Sequence, residues 1–253
     1  MKKILFIVAI LSVTVACNRK SQLVYLNDVT NETLGSVKAP VYLIKPGDVL
    51  SIQIYTQDPN ISRLFNLANT QTATSSIYNS EISTYITGFS VSDSGDVNLP
   101  VIGKVRVAEH SVRDAQESIQ LAADRYLKDA LVVVKLLSFR VTVLGEVKRP
   151  GTYTNYKDNL NIFEAIGLAG DLSDFGKRNN VLVLRNTPQG VKTFRMDLQD
   201  KNIITSEGFF LLPNDTVIVE PRSGKVMALN TPNIQLLLST LTTVLLFLNF
   251  LKK

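Results

Sequence analysis

Residues that do chemistry are scarce in this 253-residue chain, which holds one histidine, His110, and one cysteine, Cys17. A lone imidazole with no second ligand nearby makes neither a metal site nor a catalytic triad, so His110 reads as a surface residue in the turn before a helix. One thiol cannot pair within the chain, so no disulfide framework holds the fold. No phosphate-binding glycine loop, nucleophile elbow or Cys/His cluster occurs. Asp93 and Asp96 flank Gly95, and Asp171 and Asp174 follow Gly170. Turn and helix-exit chemistry accounts for these pairs better than paired carboxylates for glycoside cleavage. No catalytic residue, metal or cofactor is therefore expected. Charge is also nearly balanced: 27 Lys and Arg against 22 Asp and Glu leave +5. With no basic stripe and no interleaved aromatics, a nucleic-acid surface is excluded.

Apolar sequence, by contrast, is plentiful at both ends. Lys2 and Lys3 precede an apolar run, Ile4 to Val15, broken only by Ser12 and Thr14, and Ala16 then stands before Cys17. As a helix of about 12 residues the run reaches roughly 18 Å, short of the roughly 30 Å hydrocarbon core. Residues 1–16 thus read as a cleaved signal peptide. The close on Ala-Cys points to lipoprotein processing with Cys17 as lipid acceptor, although Thr14 stands where a lipobox most often has leucine. Loss of Lys2 and Lys3 would lower the net charge from +5 to +3. Each buried acyl CH₂ contributes about 0.8 kcal/mol, so several chains anchor far more firmly than one. Asn18 rather than aspartate follows the cysteine, and residues 18–22 are not acidic. A periplasm-facing outer-membrane anchor is expected, with 17–40 as its polar tether.

Ile234 to Leu251 is 18 residues without a charge, ahead of Lys252-Lys253. A helix of that length spans about 27 Å, just enough to cross a bilayer. Pro232 precedes it, and Asn233 can cap it. At 3.6 residues per turn, Gln235, Ser239, Thr242, Thr243 and Asn249 fall within one arc of about 120°, with Thr240 a little outside. Three readings stay open for 233–251: a membrane helix packed beside copies of itself with the stripe towards partners or water, a simple tail anchor, or a soluble amphipathic helix.

Between the ends lie enough residues for two small domains. Alternation at Leu50, Ile52 and Ile54 marks a strand entered through the turn Pro46-Gly47-Asp48. Residues 59–89 are rich in Asn, Ser and Thr and read as a long loop or partly ordered insertion. Phe89 to Ser92, the turn Asp93 to Asp96, and Val97 to Val107 read as strand, tight turn, strand. Ser111 caps a helix with Asp114 answering it, and Val112, Ala115, Ile119, Ala122 and Tyr126 form its apolar stripe. Leu131 to Leu136 is the next strand. A second unit begins near Phe139, with strands around Val141 to Val147 and at Thr152 to Thr154. A helix capped by Asn161 and Glu164 follows and is closed by Gly170. Strands at Asn180 to Arg185, Thr193 to Leu198 and Thr216 to Val219 complete the outline of a β-grasp.

The ordered series Tyr42-x3-Pro46-Gly47-Asp48-Val49-Leu50-x-Ile52, then Asp93-x-Gly95-x3-Leu99-Pro100-x-Ile102-Gly103, resembles the core of polysaccharide export outer-membrane lipoproteins. Val143-Leu144-Gly145-Glu146-Val147-x2-Pro150-Gly151, Ala165-x3-Ala169-Gly170 and Pro213-x-Asp215-x-Val217-x-Val219 resemble the soluble-ligand-binding (SLBB) β-grasp domain that follows it. The resemblance runs from about Tyr42 to Pro221. It implies an α+β protein with a polysaccharide export domain over 41–137, an SLBB domain over 138–222 and a C-terminal transmembrane amphipathic helix over 233–251. The implied assembly is a homo-oligomeric ring whose C-terminal helices cross the outer membrane. Capsular polysaccharide or exopolysaccharide would pass through it, and an inner-membrane co-polymerase or chain-length regulator would partner it. In that ring Gln235, Ser239, Thr242, Thr243 and Asn249 would face the pore. Large members carry two β-grasp repeats and this sequence shows one, which puts docking to the inner-membrane partner in question. The competing reading is a non-channel, periplasm-facing lipoprotein that binds glycan or an envelope partner through its β-grasp domain. An enzyme such as a glycan-modifying hydrolase is a more distant third.

Overall fold

The computed structural model describes residues 24–30, 37–66, 88–225 and 231–251. Cys17 and the apolar run before it lie outside the described residues. Two α+β units follow one another, each with its own apolar core, and Leu136 packs against both cores.

In the first unit, strand β1 (Val49–Tyr55) buries Leu50, Ile52 and Ile54, as its alternation requires. It is the central strand of an antiparallel sheet, flanked by β2 (Phe89–Ser90) and β5 (Leu131–Leu136). The stretch read as a long loop or partly ordered insertion is ordered in part: Pro59–Phe65 forms helix α1. Phe65 enters the core, and the Asn66 side chain donates to the Ile54 carbonyl at 2.9 Å. Residues 67–87 lie outside the description.

The hairpin is not where the sequence reading puts it. Strands β3 (Asp96–Leu99) and β4 (Gly103–Arg106) pair with each other, so the reversal is at Pro100–Ile102, while β2 pairs with β1. Gly95, at φ +86°, explains the difference. Its carbonyl accepts the N–H groups of Val107 and Ala108 at 3.0 and 2.9 Å, so the Asp93–Asp96 turn closes onto the far end of β4 instead of reversing β2. At the true reversal, Ile102 N–H donates to the Pro100 carbonyl at 2.7 Å around Val101 at φ +65°. This is a γ-turn of the strained hand, with a β-branched residue at its centre.

Helix α2 (Val112–Ala123) starts on the expected capping box. Ser111 Oγ accepts from Asp114 N–H at 3.1 Å, and the Asp114 carboxylate accepts back from Ser111. Ala115, Ile119 and Ala123 are buried, whereas Tyr126 lies beyond the helix and is exposed. From the same helix, Gln116 and Gln120 accept the N–H groups of Val134 and Val132 at 3.1 and 2.9 Å. Two side chains one turn apart thereby occupy the edge of β5.

The second unit is the expected β-grasp. Its sheet runs β10–β9–β12–β6–β7, where β6 is Arg140–Gly145, β7 Gly151–Thr154, β9 Gly176–Thr187, β10 Gly190–Met196 and β12 Thr216–Pro221. β12 runs parallel to β6, and the other pairings are antiparallel. Short strands β8 (Leu160–Asn161) and β11 (Phe210–Leu211) pair beside helix α3 (Ile162–Leu168). That helix is opened by the Asn161–Glu164 capping box and followed by Gly170 at φ +77°, both as read from the sequence. Val141, Val143, Val181, Val183, Val217 and Val219 form the inner face of the sheet, in one core with Ile162, Ala165 and Ile166 of α3.

Helix α4 (Thr231–Leu251) closes the chain. Among the described residues no helix is long and apolar enough to cross a membrane. The side chains at 231–235, 237, 248, 249 and 251 lie outside the description, so a span over 233–251 rests on the sequence alone.

Gly145 tests the tightest contact in the sheet. It sits at φ +87°, and a Cβ there would lie 2.1 Å from the Val219 carbonyl oxygen across the parallel pair. Gly145→Ala should lower stability by about 3 kcal/mol or more, read as the denaturant midpoint. Gly167→Ala in α3 meets nothing within 4 Å and should be neutral or stabilising.

Candidate functional site

Two turns of the same build introduce the central strand of each sheet. In Lys45-Pro46-Gly47-Asp48, proline presets the second position and Gly47 takes φ +87°; in Leu212-Pro213-Asn214-Asp215, Asn214 takes φ +67°. The Asp48 N–H donates to the Lys45 carbonyl at 3.1 Å, and the Asp215 N–H to the Leu212 carbonyl at 3.1 Å. Each aspartate then folds back beneath its turn. Asp48 Oδ2 accepts the Lys45 N–H at 2.9 Å, and Asp215 Oδ2 accepts the Leu212 N–H at 2.8 Å. Both side chains are buried, Asp48 at 5% exposure and Asp215 at 1%.

Their remaining partners differ. Asp48 accepts the hydroxyls of Tyr42 at 2.8 Å and Ser138 at 3.0 Å, and Ser138 Oγ accepts the Val49 N–H at 3.2 Å. Ser138 lies on the short link between the two units, so this carboxylate fastens their junction. Burial, reinforced by the Asp48 charge, pushes the Tyr42 phenol well above its ordinary pKa. Asp215 instead meets Arg185, whose Nη2 donates to Oδ2 at 2.7 Å and whose Nε lies 3.1 Å from both oxygens. Arg185 Nη2 also donates to the Phe210 carbonyl at 2.8 Å.

The first described segment and the segment after β12 are both fastened to the β-grasp unit. Residues 24–30, read as part of a tether, lie along it as a strap. Leu26 and Asn27 donate to the Leu198 and Gln199 carbonyls at 3.1 and 2.9 Å, and Lys201 N–H donates to Asp28 at 2.9 Å. The Tyr25 ring meets Phe163 edge-on at 5.8 Å and lies 5.0 Å from the Arg178 guanidinium, while its hydroxyl donates to Asp171. Burial and the Asp171 partner raise the Tyr25 phenol far above its ordinary pKa. Burial alone would raise Asp171, but hydrogen bonds from Tyr25 and Leu172, with the Arg178 charge, hold it below the usual carboxylate value. After β12, Lys225 donates to Glu146, which also accepts from Ser173 Oγ at 2.7 Å. Those two hydrogen bonds, Lys225 first, keep Glu146 below its ordinary value of 4.5.

Of the residues predicted to face a pore, Ser239, Thr242 and Thr243 are described, and all three are exposed on α4. Their hydroxyls turn back on the helix: Ser239 donates to the Leu236 carbonyl at 2.9 Å, and Thr242 and Thr243 both donate to the Ser239 carbonyl at 2.8 Å. These three hydroxyls therefore present acceptor lone pairs while their donors are already used. The side chains of Gln235 and Asn249, like Cys17, lie outside the described residues. Leu238, Leu241, Leu245 and Phe250 are exposed too, Phe250 at 78%. His110, read as a surface residue, is half-buried with Nδ1 shielded and unpartnered. Among the described residues no cluster of His, Cys, Asp and Glu could hold a metal ion.

Comparison with known proteins divides the chain as the two cores do. The family model described as polysaccharide biosynthesis/export protein matches residues 36–137, and that described as SLBB domain matches 140–195. Curated relatives described as EPS I polysaccharide export outer membrane protein EpsA are 28% identical in Ralstonia solanacearum and 29% identical in Ralstonia nicotianae (strain ATCC BAA-1114 / GMI1000), each over 197 residues. Each match covers 73% of this chain and 49% of the relative, so the chain spans about half the length of these relatives.

Removing one partner of the buried pair should be costly. Asp215→Ala leaves Arg185 buried without its counter-charge and should destabilise by about 3–5 kcal/mol in equilibrium unfolding. Acid should act through Glu146. A carboxylate whose folded pKa is depressed adds stability above 4.5, and that stability is lost as pH falls through the folded value. Denaturant midpoints taken from neutral pH down to about 3 should therefore fall less steeply for Glu146→Gln than for the native chain.

Proposed function

We propose, for a chain that belongs to the polysaccharide biosynthesis/export protein family, the role of an outer-membrane lipoprotein subunit in an oligomeric channel exporting capsular polysaccharide or exopolysaccharide. The observation that supports this most directly is the order of parts: an export unit, then an SLBB β-grasp, then a helix whose described side chains are all exposed. Burying a leucine or phenylalanine side chain stabilises by about 1.5–3 kcal/mol. A helix that leaves Leu238, Leu241, Leu245 and Phe250 uncovered is built for a partner outside its own chain. Lipid supplies one such partner and further copies of the chain the other.

In this reading Cys17 carries the lipid, and α4 from each copy crosses the outer membrane. The face holding Ser239, Thr242 and Thr243, with Gln235 and Asn249 by sequence, turns to the lumen. A helix bonds its own backbone throughout, which is what a hydrocarbon environment demands. The back-bonded hydroxyls extend that economy to the side chains. The lone pairs they leave accept weakly from sugar hydroxyls or water, which suits a polymer that must keep moving. The export unit and the β-grasp stand in the periplasm and enclose the path, and an inner-membrane co-polymerase meets the assembly from the other side. The chain acts in transport and not as a catalyst.

One observation favours the non-channel alternative, namely that no helix among the described residues is long and apolar enough to cross a membrane alone. Helix substitutions separate the two. Leu245→Lys should abolish assembly and surface polysaccharide, because lysine at a helix centre in lipid costs about 2.5–3.5 kcal/mol per copy. Thr242→Lys should leave assembly intact. The readouts are the size of the detergent-extracted particle and polysaccharide at the cell surface. A monomer under every mild extraction, with export unaffected by Leu245→Lys, would sink the channel reading in favour of a glycan- or partner-binding lipoprotein.

A further inference from the structure

The loop 170–176 touches the attachments of the strap and of the segment after β12. On one side Asp171 receives the Tyr25 hydroxyl, and with it the strap 24–30. On the other, Ser173 Oγ donates to Glu146 at 2.7 Å, and Glu146 receives Lys225, the last described residue before the stretch leading to α4. The Phe175 carbonyl accepts the Arg222 N–H at 2.8 Å, so the loop's main chain grips the same exit segment.

Little slack separates these two grips. Asp171 sits at φ +77°, a left-handed conformation that few residues besides glycine adopt readily. Its own Oδ1 accepts the Leu172 N–H at 2.7 Å while also receiving Tyr25. Its main chain is held by Ile166 and Lys148, both at 3.0 Å. Leu172 bridges to Val147, and Ser173 N–H donates to the Glu146 carbonyl at 2.9 Å. At Gly176 an added Cβ would lie 2.8 Å from that same carbonyl oxygen and 2.9 Å from Leu172 Cβ. The loop thus shares backbone bonds with 146–148 along its length, and a change in the Asp171 conformation must be passed to Ser173 and Glu146.

The strap is also the cover of a buried cation. Arg178 is 8% exposed, and its Nε and Nη1 find no hydrogen-bond partner among the described residues. Its guanidinium faces the Tyr25 ring. Departure of Tyr25 would take away both that ring and one of the two donors that hold the Asp171 carboxylate.

We propose that the loop 170–176 couples the docked strap to the exit segment of the C-terminal helix, so that seating Tyr25 on Asp171 strengthens the hold of Glu146 on Lys225, and the reverse. The device sits where the strap and the segment after β12 meet on one loop, and makes the hold on Lys225 depend on whether the strap is seated. It does not rest on the export reading, and its test needs neither transport nor a ring.

Coupling between two sites is reciprocal, so it is measured from both directions. Amide hydrogen exchange on the full chain in detergent is compared for the native protein, Tyr25→Phe, Lys225→Met and the double variant. Tyr25→Phe keeps the ring and removes only the hydroxyl. It should speed exchange at the Arg222 and Lys225 amides about tenfold, although neither touches Tyr25. Lys225→Met should in turn speed exchange at Leu26 and Asn27. The effects of the two substitutions in the double variant should fall short of their product. Lys192→Met, which breaks the remote pair with Glu207, should move neither end. If each substitution loosens only its own segment, the coupling is refuted. Acceleration spread evenly over the core amides of Val181 and Val183 refutes it equally, because the effect is then global.

Discussion

A carboxylate tucked beneath its own turn is the constraint on which both units depend. β1 and β12 are interior strands of their sheets, and each starts at an aspartate that has already accepted the N–H three residues behind it. That bond satisfies a buried donor, and it also fixes the direction in which the strand leaves the turn. The consequences diverge according to what else reaches the carboxylate. At Asp48 two hydroxyls and a main-chain amide suffice, and one of the hydroxyls belongs to the inter-unit link. At Asp215 a guanidinium from the neighbouring strand arrives, so the turn is welded to β9 before β12 begins. The carboxylate meets neutral partners at one site and a cation at the other, on the same local frame.

With both central strands placed, the β-grasp becomes the body to which the rest is attached. The strap runs along it, the exit segment is gripped by it, and the export unit joins it through three residues, 137–139, after β5. Only α4 leaves its described side chains without cover. A molecule organised this way gathers its attachments on one small domain and leaves one apolar helix exposed.

Much of this was legible before the structure. Both capping boxes, the closing glycine of α3 and the alternation of β1 are local devices, written in residues that interact within four or five positions. What escaped was decided at longer range. The Asp93–Asp96 turn has the composition of a hairpin, yet the Gly95 carbonyl is claimed by Val107 and Ala108 on another strand. Residues 24–30 carry no periodicity, and only partners distant in sequence give them a place: Phe163, Asp171 and Arg178 around Tyr25, and Leu198, Gln199 and Lys201 along the rest. Among the described side chains of Pro59–Phe65, Phe65 alone is buried. On the C-terminal helix the turning of the Ser239, Thr242 and Thr243 hydroxyls onto carbonyls three and four residues back was not readable, since a sequence records donors and not their choice of acceptor.

The glutamines of α2 have a consequence for copies of this chain crowded on one surface. An exposed strand edge invites a neighbour to continue the sheet, and that kind of growth has no natural end. Here one edge of the first sheet is occupied by Gln116 and Gln120, and the other is the two-residue strand β2. Main-chain zippering from one molecule to the next finds no long open edge on this sheet. Neighbours that meet here do so through side-chain surfaces, whose angles are set by shape, and an association ruled by angle can close on itself where one ruled by strand pairing would run on as a fibre.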